Sequence, residues 1–220
     1  MGNLRQFSTG MLLLLFTSSA VAFKLDFQFT DAQNLPVTNA VVSLLPSTPQ
    51  ARSTSPPNIG KMRQRNREFL PYVLPVQRNT PVVFPNEDPF QHHVYSFSAT
   101  KRFEVKLFSG VNKSPIVFDK TGVATLGCNI HDWMIGYIVV VDTPYFDKSG
   151  ATGHVVFTQL PADTYQAEIW HPRLSQQLTR RVVFAANADK RLQIQLKLTN
   201  PPKAEPPSAD SDDDFDYDSF

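Results

Sequence analysis

From Phe69 to Asp142 the chain runs in short apolar pieces (VVF, HVYSFS, RFEVKLF, IVF, YIVVV) separated by Pro, Gly, Asn and Asp at close spacing. No segment keeps an apolar period of 3.6 residues, so helices have no buried face to form on. Short strands joined by frequent turns predict an all-β protein, an antiparallel sandwich or barrel, and exclude a βαβ fold. A sandwich of this kind can hold a metal at one end, where loops from different strands meet.

The flanks extend the β pattern. KLDFQFT alternates, DAQNLP is a turn cluster and NAVVSLLP is a second apolar run, so Phe23–Leu45 predicts two strands. Pro46–Gly60 is a Pro/Ser/Thr-rich loop. After a turn at Thr143–Tyr145, GHVVFTQLP, TYQAEIWHP, RRVVFAA and RLQIQLKL predict four strands of a small second sandwich, which the two strands at 23–45 are placed to complete. The expected division is a signal peptide over 1–22, N-terminal strands and loop over 23–60, a central domain over 61–142, a small β-sandwich over 143–200 and a disordered acidic tail over 201–220.

The signal reading rests on Arg5, the apolar run Met11–Phe16 and the small-residue pattern Ala20-Val21-Ala22. The run is too short to span a bilayer, no later stretch reaches that length, and a periplasmic or secreted protein is expected. Net charge is +1, but residues 201–220 carry one Lys against seven acids and leave a basic body of 19 Lys/Arg and 13 Asp/Glu over 23–200. The tail's composition cannot bury enough apolar surface to offset its ordering entropy. Bases at every second position, Lys61, Arg63, Arg65 and Arg67, read as a solvated loop or a charge-blunted edge strand. No aromatic platform interleaves with them, so no nucleic-acid partner is expected.

One cysteine cannot form a disulfide within the chain, and a lone thiol in an exported protein needs a task or deep burial. Cys128 stands in CNIHDWM, with His131 three residues on and Met134 three beyond that. Thiolate, imidazole and thioether on one loop are soft donors, and a second imidazole completes the His₂Cys plane with a weak axial Met that copper's two oxidation states can share. FPNEDPFQHHVYSFS offers that imidazole at His92 or His93. Strand candidates VATLG and IGYIVVV bracket the loop. The other histidines, His154 and His171, read as exposed or packed side chains. There is no Ser-His-Asp motif, phosphate-binding Gly-rich loop or HExxH, and too few ligands for a multicopper enzyme.

The C-x₂-H-x₂-M-x-G pattern, Cys128 through Gly136, resembles the small cupredoxins, with a loop length most like amicyanin. So does N-x-(D/E)-x₃-H-x-V upstream, matched by Asn86, Asp88, His92 and Val94, and G-x₅-C, matched by Gly122 to Cys128. The resemblance covers roughly residues 69–142. The flanks are similar to carboxypeptidase-regulatory or transthyretin-like sandwiches, and the combination resembles exported proteins often labelled methylamine utilisation proteins. It implies a cupredoxin-like Greek-key β-sandwich beside that smaller sandwich, and one mononuclear copper on His92, Cys128, His131 and Met134. His131 would be the electron exit, with Phe90, Trp133 and Ile135 forming a docking patch for a redox partner protein. Two positions depart from the family. His93 replaces the usual Asn after the first ligand, and alternation with Tyr95 and Phe97 argues for His93 as the inward residue. Asp132 follows the loop histidine, where it would bond the imidazole or lower the potential. The expected function is one-electron transfer rather than catalysis, with copper delivery or scavenging as the alternative and a vestigial, partner-binding role as a third option.

Overall fold

The computed structural model describes residues 23–48, 58–111, 114–174, 180–186 and 189–200. The expected signal peptide, most of the Pro/Ser-rich loop and the acidic tail lie outside these residues. Among the described residues every regular element is a strand, as the alternation and turn spacing require, and no helix is long and apolar enough to cross a membrane.

One five-stranded sheet carries the site. Its order is Arg102–Phe108, His92–Phe97, Gly122–Cys128, Ile135–Val141 and Val73–Gln77, antiparallel except for the last pair. Facing it are two shorter sheets. One is Gly110–Val111, Pro85–Asn86, Arg63–Arg65 and Glu68–Leu70; the other is Ile116–Phe118, Thr80–Val83 and Gly60–Lys61. Between the layers lie Met62, Phe69, Val76, Val82, Phe84, Val94, Phe118, Leu126, Ile138 and Val140, with Cys128 and Met134 at one end. Removing such side chains from water is the main favourable term, on the order of 2 kcal/mol for each large one.

Arg63–Arg65 corrects the edge-strand reading for the middle of the basic row, while Gly60–Lys61 is an edge strand and Arg67 an exposed turn residue. The middle strand is internal to its sheet, paired antiparallel with Glu68–Leu70 and parallel with Pro85–Asn86 through Gln64. Met62 and Gln64 are fully buried between the exposed bases. Alternation puts the charges on one outward face because the apolar and amide side chains take the inward one.

The N-terminal strands pair with the C-terminal ones. Phe23–Thr30 lies between His154–Leu160 and Lys190–Gln195, and Val41–Pro46 lies between Phe146–Lys148 and Asp163–Trp170, which also pairs Arg180–Ala186. Their core is Leu25, Phe27, Phe29, Val42, Leu44, Phe157, Tyr165 and Ile169. A seam of Val41, Val73, Val139 and Val141, with Tyr137 against Trp170 at 5.4 Å, joins this core to the site-bearing sheet. Across the seam Lys148 Nζ donates to the Val73 carbonyl at 2.8 Å, and burial pulls its pKa down.

His171 is a packed histidine, 6% exposed. Nε2–H donates to the Thr38 carbonyl at 3.1 Å while Nδ1 accepts from Arg173 N–H at 3.1 Å. Burial lowers its pKa to about 4, the Thr38 bond opposing and the Arg173 charge adding to the shift. A folded pKa below the unfolded value means the unfolded chain binds more protons between pH 6.5 and 4, so stability is lost as pH drops from 6.5 to 4. The loss is at most about 3 kcal/mol. Thermal melts of metal-free protein should show Tm falling through this window, with a His171→Gln variant flatter across it; equal slopes would remove His171 as the cause.

Candidate metal centre

Cys128 ends Gly122–Cys128, and its backbone pairs with Val94 of the neighbouring strand. The chain then turns through Asn129–Trp133, where Met134 N–H donates to the His131 carbonyl at 2.9 Å, and leaves as Ile135–Val141. The close returns need glycine on both arms. A Cβ on Gly127 would lie 2.7 Å from the Tyr95 ring, and one on Gly136 would lie 2.8 Å from Phe69 Cβ.

This geometry brings the sequence-selected donors together. Cys128 Sγ is 3.7 Å from His92 Nδ1 and 3.6 Å from His131 Nδ1, and all three donor atoms lie within 4.8 Å of one another. His92 is 0%, Cys128 2% and Met134 1% exposed, whereas His131 is half-buried at the surface. Phe90 packs on both imidazoles, at 5.2 Å from His92 and 5.7 Å from His131, and Trp133 lies 5.4 Å from His131. A metal about 2.0 Å from imidazole nitrogen and about 2.3 Å from thiolate sulfur sets trigonal neighbours about 3.7 Å apart, so the observed separations fit one ion.

His92 and His93 face opposite ways. His92, Val94 and Ser96 are buried, while His93 and Tyr95 are half-buried and Phe97 is 70% exposed. The alternation argument for His93 therefore mistakes an outward aromatic stripe for core. His93 Nε2 lies 2.9 Å from Glu104 Oε1, without hydrogen-bond alignment. The strand-to-loop bridge comes from its backbone instead, since Asn129 N–H donates to the His93 carbonyl at 3.2 Å. Asp132 is exposed; it lines a surface cleft with Tyr95, Phe97, Thr125 and Ile135, and no hydrogen bond joins it to His131.

Sequence reasoning gave Asp88 no role beyond matching a pattern. Its carboxylate is 5% exposed, and Oδ2 accepts from His92 Nε2–H at 2.7 Å. The backbone N–H groups of Asn66 and Arg67 donate to the same carboxylate at 2.7 and 3.1 Å. Asn66 and Arg67 hold positive φ, 55° and 58°, and so form the tight hairpin turn that aims both N–H groups inward. Asn86 secures the segment from behind: Nδ2 donates to the Phe90 and Phe108 carbonyls and Oδ1 accepts from Asp88 N–H. Asp88 thus fixes the His92 tautomer, leaving Nδ1 bare toward the sulfur. The adjacency of Asp88 to His92 in NEDPFQH was the available signal, but the hairpin turn that completes it lies more than twenty residues upstream.

Electrostatics prepare the same donors. Burial raises the Cys128 thiol pKa, but the His92 bond and backbone N–H groups of His93 and Ile130 outweigh it, and the net shift is downward, toward thiolate. Burial pushes His92 down, yet its bonds to Cys128 and Asp88 carry it above its usual value. Burial, the neighbouring His92 and Arg67 lower His131 to about 4, against an opposing Asp88 charge, so its nitrogen is a free donor at neutral pH.

Fold and site together define an all-β protein whose five-stranded sheet and its facing sheets hold a His–Cys–His–Met group, three of its members buried and His131 half-buried. No protein-family model matches the chain, and no curated protein matches it. Among solved structures it is similar to a purple cupredoxin from Nitrosopumilus maritimus, at 21% identity and TM-score 0.34, over 37% of this chain and 99% of that one. It is similar also to a Cu-containing nitrite reductase from Thermus scotoductus SA-01, at 25% identity and TM-score 0.37, over 44% of this chain and only 25% of that one. A reduced Cu(I) amicyanin variant matches at 16% identity and TM-score 0.34, over 46% and 98%. At these scores the likenesses carry no functional weight beside the donor geometry.

Proposed function

We propose that this chain is an exported type 1 copper protein that carries single electrons, with His92, Cys128, His131 and Met134 as ligands of one copper ion. The observation that carries the reading is a buried sulfur set between two imidazole nitrogens at 3.7 and 3.6 Å. Copper, when bound, supplies the one-electron couple. The chain does the rest. Two rigid strands hold Cys128 and His92 before metal arrives, Asp88 keeps His92 in one tautomer, and Met134 closes the apolar side. Phe90 and Trp133 exclude water around His131, the donor nearest solvent and the expected contact for a redox partner protein. A donor set locked at its outer hydrogen bonds suits transfer with little rearrangement better than metal release.

Copper-loaded protein starting at Phe23 should show an intense visible thiolate-to-copper band and an EPR spectrum of one Cu(II) per chain, and should cycle between oxidation states without losing metal. A folded, copper-loaded but colourless protein would overturn the assignment. Loss of copper to an acceptor on reduction would point to delivery instead.

A further inference from the structure

Charge around His131 differs from one side to the other. On the side of the facing sheets, the strand Arg63–Arg65 and the turn after it run toward the imidazole, with Lys61, Arg63, Arg65 and Arg67 all exposed. Arg63 and Arg65 stand about 7 Å apart along the strand. Arg63 faces Glu87 at 3.5 Å and Glu68 pairs opposite Arg65 in the hairpin, whereas Lys61 and Arg65 have no carboxylate within ion-pair distance among the described residues. At the end of the row the Arg67 guanidinium lies over the Phe90 ring at 5.2 Å, and that ring lies 5.7 Å from the His131 imidazole. Base, ring and imidazole are packed one on the next.

On the other side of His131 the sign changes. Asp132 is exposed and lines the cleft of Tyr95, Phe97, Thr125 and Ile135 on the outward face of the five-stranded sheet. Beside that cleft Glu104 stands opposite Tyr95 and Arg102 opposite Phe97, and these two charges offset each other. Asp88 adds nothing outside, because its carboxylate is turned inward to His92 and the N–H groups of the hairpin turn. Between the two sides Phe90, His131 and Trp133 form a small, half-buried aromatic rim. Electron-transfer encounters bury little area, so the charges around such a rim decide which partner arrives and in what orientation. Bases all round would accept an acidic partner in many orientations. Bases on one side and an acid on the other favour one.

We propose that a redox partner protein docks an acidic face on the row from Lys61 to Arg67, which brings its own centre over Phe90 and His131, while Asp132 keeps its acids to the hairpin side. The one-sided anion surface is independent of the copper reading; the passage of an electron across it rests on that reading.

Hexacyanochromate(III), a redox-inert paramagnetic trianion, maps the surface in metal-free protein starting at Phe23. In ¹⁵N NMR it should broaden the Arg65, Asn66 and Arg67 amides most, leave Phe97 and Thr125 sharp, and lose this pattern in Arg65→Glu. Equal broadening at Phe97 and Thr125, or at Lys120 beyond the far end of Gly122–Cys128 from the thiol, would overturn the one-sided surface. Docking is then read in copper-loaded protein with ferrocytochrome b5, an acidic haem protein whose ferrous iron gives one electron to Cu(II). An intact visible band checks the copper reading separately, and its absence would strike that reading while the NMR map still decides the surface. At low salt Arg65→Glu should slow the second-order rate about threefold or more, Lys61→Glu should slow it too, and both effects should shrink at high salt. Lys120→Glu makes the same change in net charge and should alter the rate much less. Equal slowing by Lys120→Glu would mean net charge alone, and a faster Arg65→Glu protein would mean a basic partner; either overturns the proposal. Sedimentation with phosphatidylglycerol vesicles at physiological salt should leave the protein in solution, whereas binding that Arg65→Glu abolishes would give the row to a lipid surface and overturn the protein partner.

Discussion

Changing Cys128 to serine should abolish the visible band of the copper-loaded protein while leaving the sandwich folded. The substitution is nearly isosteric at a position 2% exposed, and the N–H groups that bond the sulfur can bond a hydroxyl oxygen. The folding cost should therefore be on the order of 1 kcal/mol, within reach of a thermal melt. The effect on metal is much larger, because a hard hydroxyl replaces the soft donor that favours Cu(I) and gives the charge-transfer colour. The histidine pair supplies the control. His92→Ala should bleach the band too, whereas His93→Ala should keep it, since His93 points toward Glu104 on the other face. A coloured His92→Ala protein, or a bleached His93→Ala one, would require a different first ligand.

The contrast between these histidines shows how far sequence alone reaches. The β architecture was legible because many strands alternate or form short apolar runs, and many turns carry Pro, Gly, Asn or Asp, though the turn at 98–101 carries none of them. The Cys128, His131 and Met134 loop was legible because its donors are local. Which of two adjacent histidines turns inward was not, since a period of two assigns faces only when one face is clearly apolar. Here both carry large side chains: Val94 on one, Tyr95 and Phe97 on the other. Tyr95 sits outside because it packs over Gly127, a contact between strands that sequence neighbours do not reveal. The middle of the basic row was misread for a related reason. Its alternation was plain, but whether Arg63–Arg65 lay at an edge depended on pairing with Pro85–Asn86, two residues that carry no strand signal of their own.

Replacing Asp88 by alanine should damage stability and copper affinity together. It strands three donors at once: His92 Nε2–H and the N–H groups of Asn66 and Arg67. Each buried donor left unpaired costs about 1–3 kcal/mol, so a loss on the order of 3 kcal/mol is expected even with some water entering. Without the carboxylate, His92 is free to protonate Nδ1 or rotate, and copper affinity should fall roughly 10- to 100-fold. Asp88→Asn separates the two effects. Its one carbonyl oxygen can accept from His92 or from the hairpin turn but supplies no negative charge, so stability should recover more than affinity does. Chelator competition reads the affinity and denaturant unfolding of metal-free protein reads the stability. If Asp88→Ala unfolded more easily yet held copper as tightly as the native chain, the carboxylate would be a brace for the hairpin and no part of the metal centre.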